Sequence, residues 1–119
     1  MSNYVDGFVL PVPKKNIEAY RKMAADFGRL WMEHGALAYV ECVAEDVQPG
    51  KLTSYPQAVK LEPDETVVIA WIVYESRAHR DKVNAAVFAD PRGEQMKPET
   101  MPFDTKRMFW GGFEKIVEL

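Results

Sequence analysis

The spacing of apolar residues changes several times along the chain, and each change marks an element. Val67-Val68-Ile69-Ala70-Trp71-Ile72-Val73-Tyr74 is apolar without any polar alternation, so as a strand it would bury both faces. A weaker apolar stretch, Tyr4–Leu10, predicts a first strand. Pro11 and Pro13 cannot donate to a ladder and are expected to stop it. From Lys14 or Lys15 the period lengthens. Ile17, Tyr20, Ala24, Phe27 and Trp31 recur at spacings of three and four, which is one face of a helix. Gly35, just past His34, is expected to cap its C-terminus. Ala38–Asp46 predicts a second strand with two unlike faces. Ala38, Val40, Cys42 and Ala44 make a small apolar face, and Tyr39, Glu41, Val43 and Glu45 a mixed one. Thr66–Tyr74 is the third strand. Ser76 stands where an N-cap belongs. The helix after it should run from about Arg77 to Ala89, with Val83, Ala86 and Val87 inward, and end at Asp90-Pro91. Arg107–Val117 predicts a last strand, interrupted by Gly111-Gly112.

Two long connections join these elements. Residues 47–65 carry Pro49-Gly50, Pro56 and Pro63, with a short helical turn expected within Ser54–Lys60. Residues 91–106 carry Pro91, Gly93, Pro98 and Pro102. Loops of this length are unusual unless functional or packed down. The element order β-α-β-β-α-β predicts an α+β, ferredoxin-like sandwich: a four-stranded antiparallel sheet with both helices on one face. Two helices cover one face only. The second apolar face of the third strand then needs another cover, and a second copy of the same sheet supplies it. The expected unit is a homodimer.

Composition narrows the function classes. The chain has 119 residues, read as a single domain over 1–119, with 15 basic and 18 acidic residues and a net charge of -3. It has no basic run, which argues against nucleic-acid binding, since that needs a positive field to displace phosphate counterions. The single cysteine, Cys42, excludes an internal disulfide and fits a reducing compartment. No apolar run is long enough to span a bilayer, and the N-terminus lacks the basic and apolar regions of a signal peptide. The expectation is a cytoplasmic protein that does not engage membranes. No Walker loop, G-x-G-x-x-G, G-x-S-x-G or H-E-x-x-H is present. His34, Cys42 and His79 show no zinc-motif spacing, so neither a metal site nor a cofactor is expected.

Four segments, YVDGFVLPVP, WMEHGAL, YESRAHRDKVNAAVFADPR and MPFDTKRMFWGGFE, resemble the YbaA-like family of small bacterial proteins, a domain of unknown function. The resemblance spans essentially the whole chain, and Met101–Glu114 is its most specific piece. It implies membership of the dimeric α+β barrel superfamily, in which two ferredoxin-like sheets pack face to face. It implies no substrate, cofactor or catalytic residue.

Several side chains are candidates for chemistry. His79, four residues before Val83, shares the inward face of the second helix. It reads either as a proton donor or acceptor in a pocket or as a first-turn histidine bonded locally. His34 suits a structural role beside a helix C-terminus. Glu41 and Glu45 are about 13 Å apart along a strand. That exceeds the ~5–9.5 Å of paired glycosidase carboxylates, so they read as surface or interface charges. Asp6 puts a carboxylate on an otherwise apolar strand face and needs a partner. Arg107 is one option, Arg77 and Arg80 are others, and the expected role is an ion pair at the interface. Gly111-Gly112 reads as a point of close approach by a partner backbone, or as a gap beneath Trp110. Trp31, Trp71, Trp110, Tyr74 and Phe109 suit a core or the walls of an aromatic pocket.

Together these give a homodimer with a ligand pocket between helices and sheet, formed by His79, Tyr74, Trp71, Trp110 and Trp31, for a small aromatic or organic-acid metabolite. The alternatives are a non-catalytic interaction protein, whose aromatic face serves dimerisation only, and a haem-binding variant.

Overall fold

The computed structural model describes residues 3–119. Four strands, β1 (Tyr4–Pro13), β2 (Ala38–Val43), β3 (Glu65–Tyr74) and β4 (Phe109–Glu114), form one antiparallel sheet in the order β2-β3-β1-β4. Helix α1 (Ile17–Glu33) links β1 to β2, and α3 (Arg77–Ala89) follows β3; the short α2 (Tyr55–Ala58) lies in the connection between β2 and β3. This is the ferredoxin-like arrangement that the element order predicts.

The helix ends follow the sequence signals. Ser76 accepts the His79 backbone N–H and caps α3. Gly35 adopts φ 115° beyond α1. The amide of Gly35 donates to the Met32 carbonyl, and that of Ala36 to Trp31. Paired bonds of this kind satisfy carbonyls that a helix end leaves free.

β1 does not stop at Pro11. It continues to Pro13, paired with Glu65 of β3. The Lys14 amide donates to Asp64, so even-numbered amides of β1 point toward β3. Pro11 and Pro13 therefore lack their N–H on the opposite edge, where the ladder to β4 has already ended at Val9↔Phe109. Neither proline removes a ladder bond. β2 and β4 are shorter than expected, ending at Val43 and spanning only Phe109–Glu114.

The uniform apolar run of β3 is divided by burial. Val68, Ala70, Ile72 and Tyr74 are buried, while Ile69, Trp71 and Val73 are only half-buried. The first set faces the helices. Ile72 and Tyr74 pack with Leu30, Val83 and Val87, and Val68 packs with Leu10, Tyr20 and Ala24. The second set faces away from them. Cross-strand register adds Val40 and Gly7 beside Trp71, and Val5 beside both Val73 and Phe113. Phe109 and Phe113 share that parity and are 46% and 63% exposed. Val67 has the same parity but is buried, as are its register partner Pro11 and the nearby Val59, so one end of this side is covered. Around Trp71 it is a largely apolar surface that α1 and α3 do not cover. Among the described residues no helix is long and apolar enough to cross a membrane.

Candidate functional site

The helix-facing side of the sheet is not filled. A cavity of about 300 Å³ lies between it, α1 and α3, with Phe8, Ala70 and Ile72 among the residues that line it. The side chains of α1 explain why. Its predicted inward face is correct, but only Tyr20 and Ala24 of that set are buried. Phe27 and Trp31 are half-buried and line the cavity. Trp31 meets Phe88 of α3 edge-on at 6.1 Å between ring centroids, and Trp110 of β4 stacks on Phe8 at 6.1 Å. The connection after α3 forms a further wall through Met96, Met101 and Phe103, and Met108 follows it. Methionine side chains adapt to irregular shapes, which suits the wall of a cavity.

Two carboxylates line this space, and their surroundings differ. Asp6 is 1% exposed and pairs with Arg80 of α3 at 3.0 Å. Arg80 also donates to the Tyr4 hydroxyl at 3.2 Å, and its guanidinium carbon lies 5.2 Å from the Tyr4 ring centroid. Its Nε lies 2.9 Å from Asp81 without hydrogen-bond alignment. Burial holds the Asp6 carboxyl above its ordinary pKa, and the Arg80 charge opposes that rise. Glu41 has no cation among its hydrogen-bond partners. Its Oε1 accepts from the Tyr20 hydroxyl at 2.5 Å and its Oε2 from Tyr39 at 2.7 Å. Burial raises the pKa of Glu41, while the two phenols pull it down. Both phenols are themselves pushed well above the ordinary tyrosine value, by burial first and by the Glu41 charge second. Gly28 of α1 permits this arrangement: a Cβ there would lie 2.7 Å from the Tyr39 ring.

Asn84 of α3 is the third polar group. Its Oδ1 accepts from Trp31 Nε1 at 3.0 Å and from the Tyr74 hydroxyl at 3.3 Å. An amide carries two donors as well, and these take no partner among the described hydrogen bonds.

The expected pocket residues are therefore divided. Trp31 and Trp110 line the cavity. Trp71 does not, because its strand parity places it on the opposite face of the sheet, beside Gly7 and Val40. Tyr74 is fully buried and stands behind the cavity, held by Asn84. His79 is also outside it. Its Nδ1 accepts the Glu75 backbone N–H at 3.0 Å, and its ring meets Tyr74 edge-on at 5.9 Å, so it is the locally bonded first-turn histidine. Asp6 does not pair with Arg107. Asp6 faces the helices, whereas Arg107 holds Glu65 through both oxygens at 2.6 and 2.7 Å. His34 bonds Asp90 at 3.0 Å across the ends of α1 and α3. Neither histidine reaches the cavity, and no group of three or more metal-ligating side chains occurs among the described residues.

Gly112 has a close neighbour within its own chain. A Cβ there would lie 2.8 Å from Tyr4 Cζ, whereas at Gly111 it would meet only the Phe113 ring, at 3.7 Å.

From sequence Glu41 reads as a surface or interface charge, and Asn84 is not among the candidates. The mixed face of β2 turns toward α1, which brings Glu41 under Tyr20. The signal was present as Tyr39-x-Glu41, an acid and a phenol on one strand face, with Tyr20 on the inward face of the preceding helix.

The model of a family described as "Protein of unknown function (DUF1428)" matches residues 3–105. A relative from Escherichia coli strain K12, "Uncharacterized protein YbaA", is 50% identical over 115 residues, 97% of each chain. A protein of the same description from Shigella flexneri matches to the same extent. Among solved structures, a dimeric ferredoxin-like protein from an uncultured marine organism aligns over 100% of both chains with a TM-score of 0.62 and 14% identity. That likeness is one of fold.

Proposed function

The chain belongs to the DUF1428 family of proteins of unknown function, and we propose that it acts as a homodimer of one domain per chain, each binding a small aromatic molecule between its helices and its sheet. The observation that carries the ligand reading is the cavity of about 300 Å³, walled by Trp31, Phe88 and Trp110 with Glu41 and Asn84 at its edge. Ligand sites are concave, mostly apolar and carry a few convergent polar groups, with volumes from about 300 Å³ upward. This one meets each criterion. A solid core would have closed the space, because cavities in native interiors are few and small.

The pairing reading rests on the other face. Trp71, Ile69, Val73, Val40, Phe109 and Phe113 form a surface that α1 and α3 do not cover. Contiguous exposed apolar surface of this kind marks an interaction site. The marine ferredoxin-like protein, described as dimeric, supports a second copy of the chain as the cover. Trp71 then belongs to dimerisation, and Trp31 and Trp110 to the ligand.

The neutral dye N-phenyl-1-naphthylamine tests the cavity. Its fluorescence should rise saturably at one site per chain, and Ala70→Phe, which places a ring in the cavity, should abolish the rise. Non-saturable dye binding, or binding unchanged by Ala70→Phe, would sink the ligand reading.

A further inference from the structure

We propose that the cavity selects an aromatic amine: the ring lies among Trp31, Phe88 and Trp110, and the protonated nitrogen meets the Glu41 carboxylate. The inference rests on the cavity being a ligand site and adds the class of molecule.

Charge carries the argument. The only charged residues that line the cavity are Asp6 and Glu41; among the described residues no Lys, Arg or His lines it. Asp6 is already neutralised by Arg80 at 3.0 Å. Glu41 is bonded by two neutral phenols, Tyr20 and Tyr39. On the outer side of this trio, Arg21 and Glu41 line a separate groove between α1 and β2, but Arg21 is ion-paired with Glu18 at 2.6 Å. The cavity therefore holds one carboxylate without a matching cation. A buried charge is costly unless paired.

The three ligand classes then rank themselves. A carboxylic acid adds a second anion beside Glu41. A hydrocarbon excludes water from the carboxylate and offers nothing in return. A protonated amine supplies the missing charge. A carboxylate offers about four lone-pair positions, and the two phenols occupy two, so acceptor capacity remains for an ammonium. The aromatic walls add to the preference, because ring faces attract cations. Of the two metabolite types expected from sequence, the acidic one is disfavoured.

Titration of tryptophan fluorescence with 2-phenylethylamine and with 3-phenylpropionate tests the class. The two probes share a ring and differ in the sign of the terminal charge. Wild-type protein should bind the amine about tenfold or more tightly than the acid, and Glu41→Gln, which keeps an acceptor for a phenol, should weaken the amine by a similar factor. Equal affinity for both probes, or an amine affinity unchanged by Glu41→Gln, overturns the amine assignment. Neither probe binding while N-phenyl-1-naphthylamine still binds overturns that class alone. Failure of all three overturns the cavity reading as well.

Discussion

Arg80 and Asp6 are separated by 74 residues in sequence and meet at 3.0 Å beneath α3. The pair joins the start of β1 to the first turn of α3, with Asp6 1% and Arg80 9% exposed. Removing the cation leaves a buried carboxylate unpaired. Arg80→Ala should destabilise the fold by about 3 kcal/mol in urea unfolding, as expected for a broken buried pair. Burial already holds the Asp6 pKa above 3.8, its unfolded value. The folded state therefore binds the Asp6 proton more tightly than the unfolded state does, and protonation favours folding. The loss in Arg80→Ala should shrink as the pH falls toward 3.8. A loss that grows on acidification would contradict this pairing.

Glu41 follows the same sign, again through burial, but with two phenols rather than a cation opposing the rise. Its folded pKa is raised above 4.5, with burial as the largest cause. Ionised Glu41 costs stability at neutral pH, and that cost disappears as the pH falls through the folded value toward the unfolded one. Glutamine resembles the neutral acid at every pH. The stability of Glu41→Gln relative to wild type should therefore be higher at neutral pH than near pH 4.5. Denaturant melts of both proteins at the two pH values measure this. A difference of the opposite sign would mean that the phenols outweigh burial.

The histidine prediction separates capping from ligand binding. His79 Nδ1 accepts one backbone N–H at 3.0 Å. Its loss in His79→Ala should cost about 1 kcal/mol, the net value of one hydrogen bond. Because His79 lies outside the cavity, dye and amine affinities should not change. A fall in affinity with unchanged stability would return it to the site.

The adjacent glycines of β4 should respond differently to the same change. Gly112→Ala drives a methyl group into the Tyr4 ring, 2.8 Å from Cζ. That ring borders the Arg80 guanidinium, so the variant should lose about 1–3 kcal/mol, the usual cost of overpacking. Gly111→Ala meets only Phe113 at 3.7 Å and should fold with little loss. Thermal unfolding of the two variants checks the contrast.

The fold was readable because local signals agreed. Ser76 and Gly35 cap the helices they were expected to cap, and the apolar period of α1 names the correct face. What sequence could not supply was orientation. β3 is apolar on both faces, so nothing in Val67–Tyr74 shows that Trp71 turns away from the helices. His79 has the correct spacing for the inward face of α3, yet its imidazole is held by the Glu75 amide, a local bond that periodicity does not register. Glu41 is misplaced from sequence because the mixed face of β2 suggests exposure, and only packing against α1 shows that this face turns inward. Pro11 was read as a stop because its effect depends on which edge of β1 lacks a neighbour, a fact of tertiary structure.

Sedimentation equilibrium of the wild-type protein bears most directly on the sheet surface around Trp71. At micromolar concentration the pairing account gives a particle of twice the 13.6 kDa chain mass. A folded, cooperatively melting species of one chain mass, with no binding of dyes that detect exposed apolar surface, would contradict it.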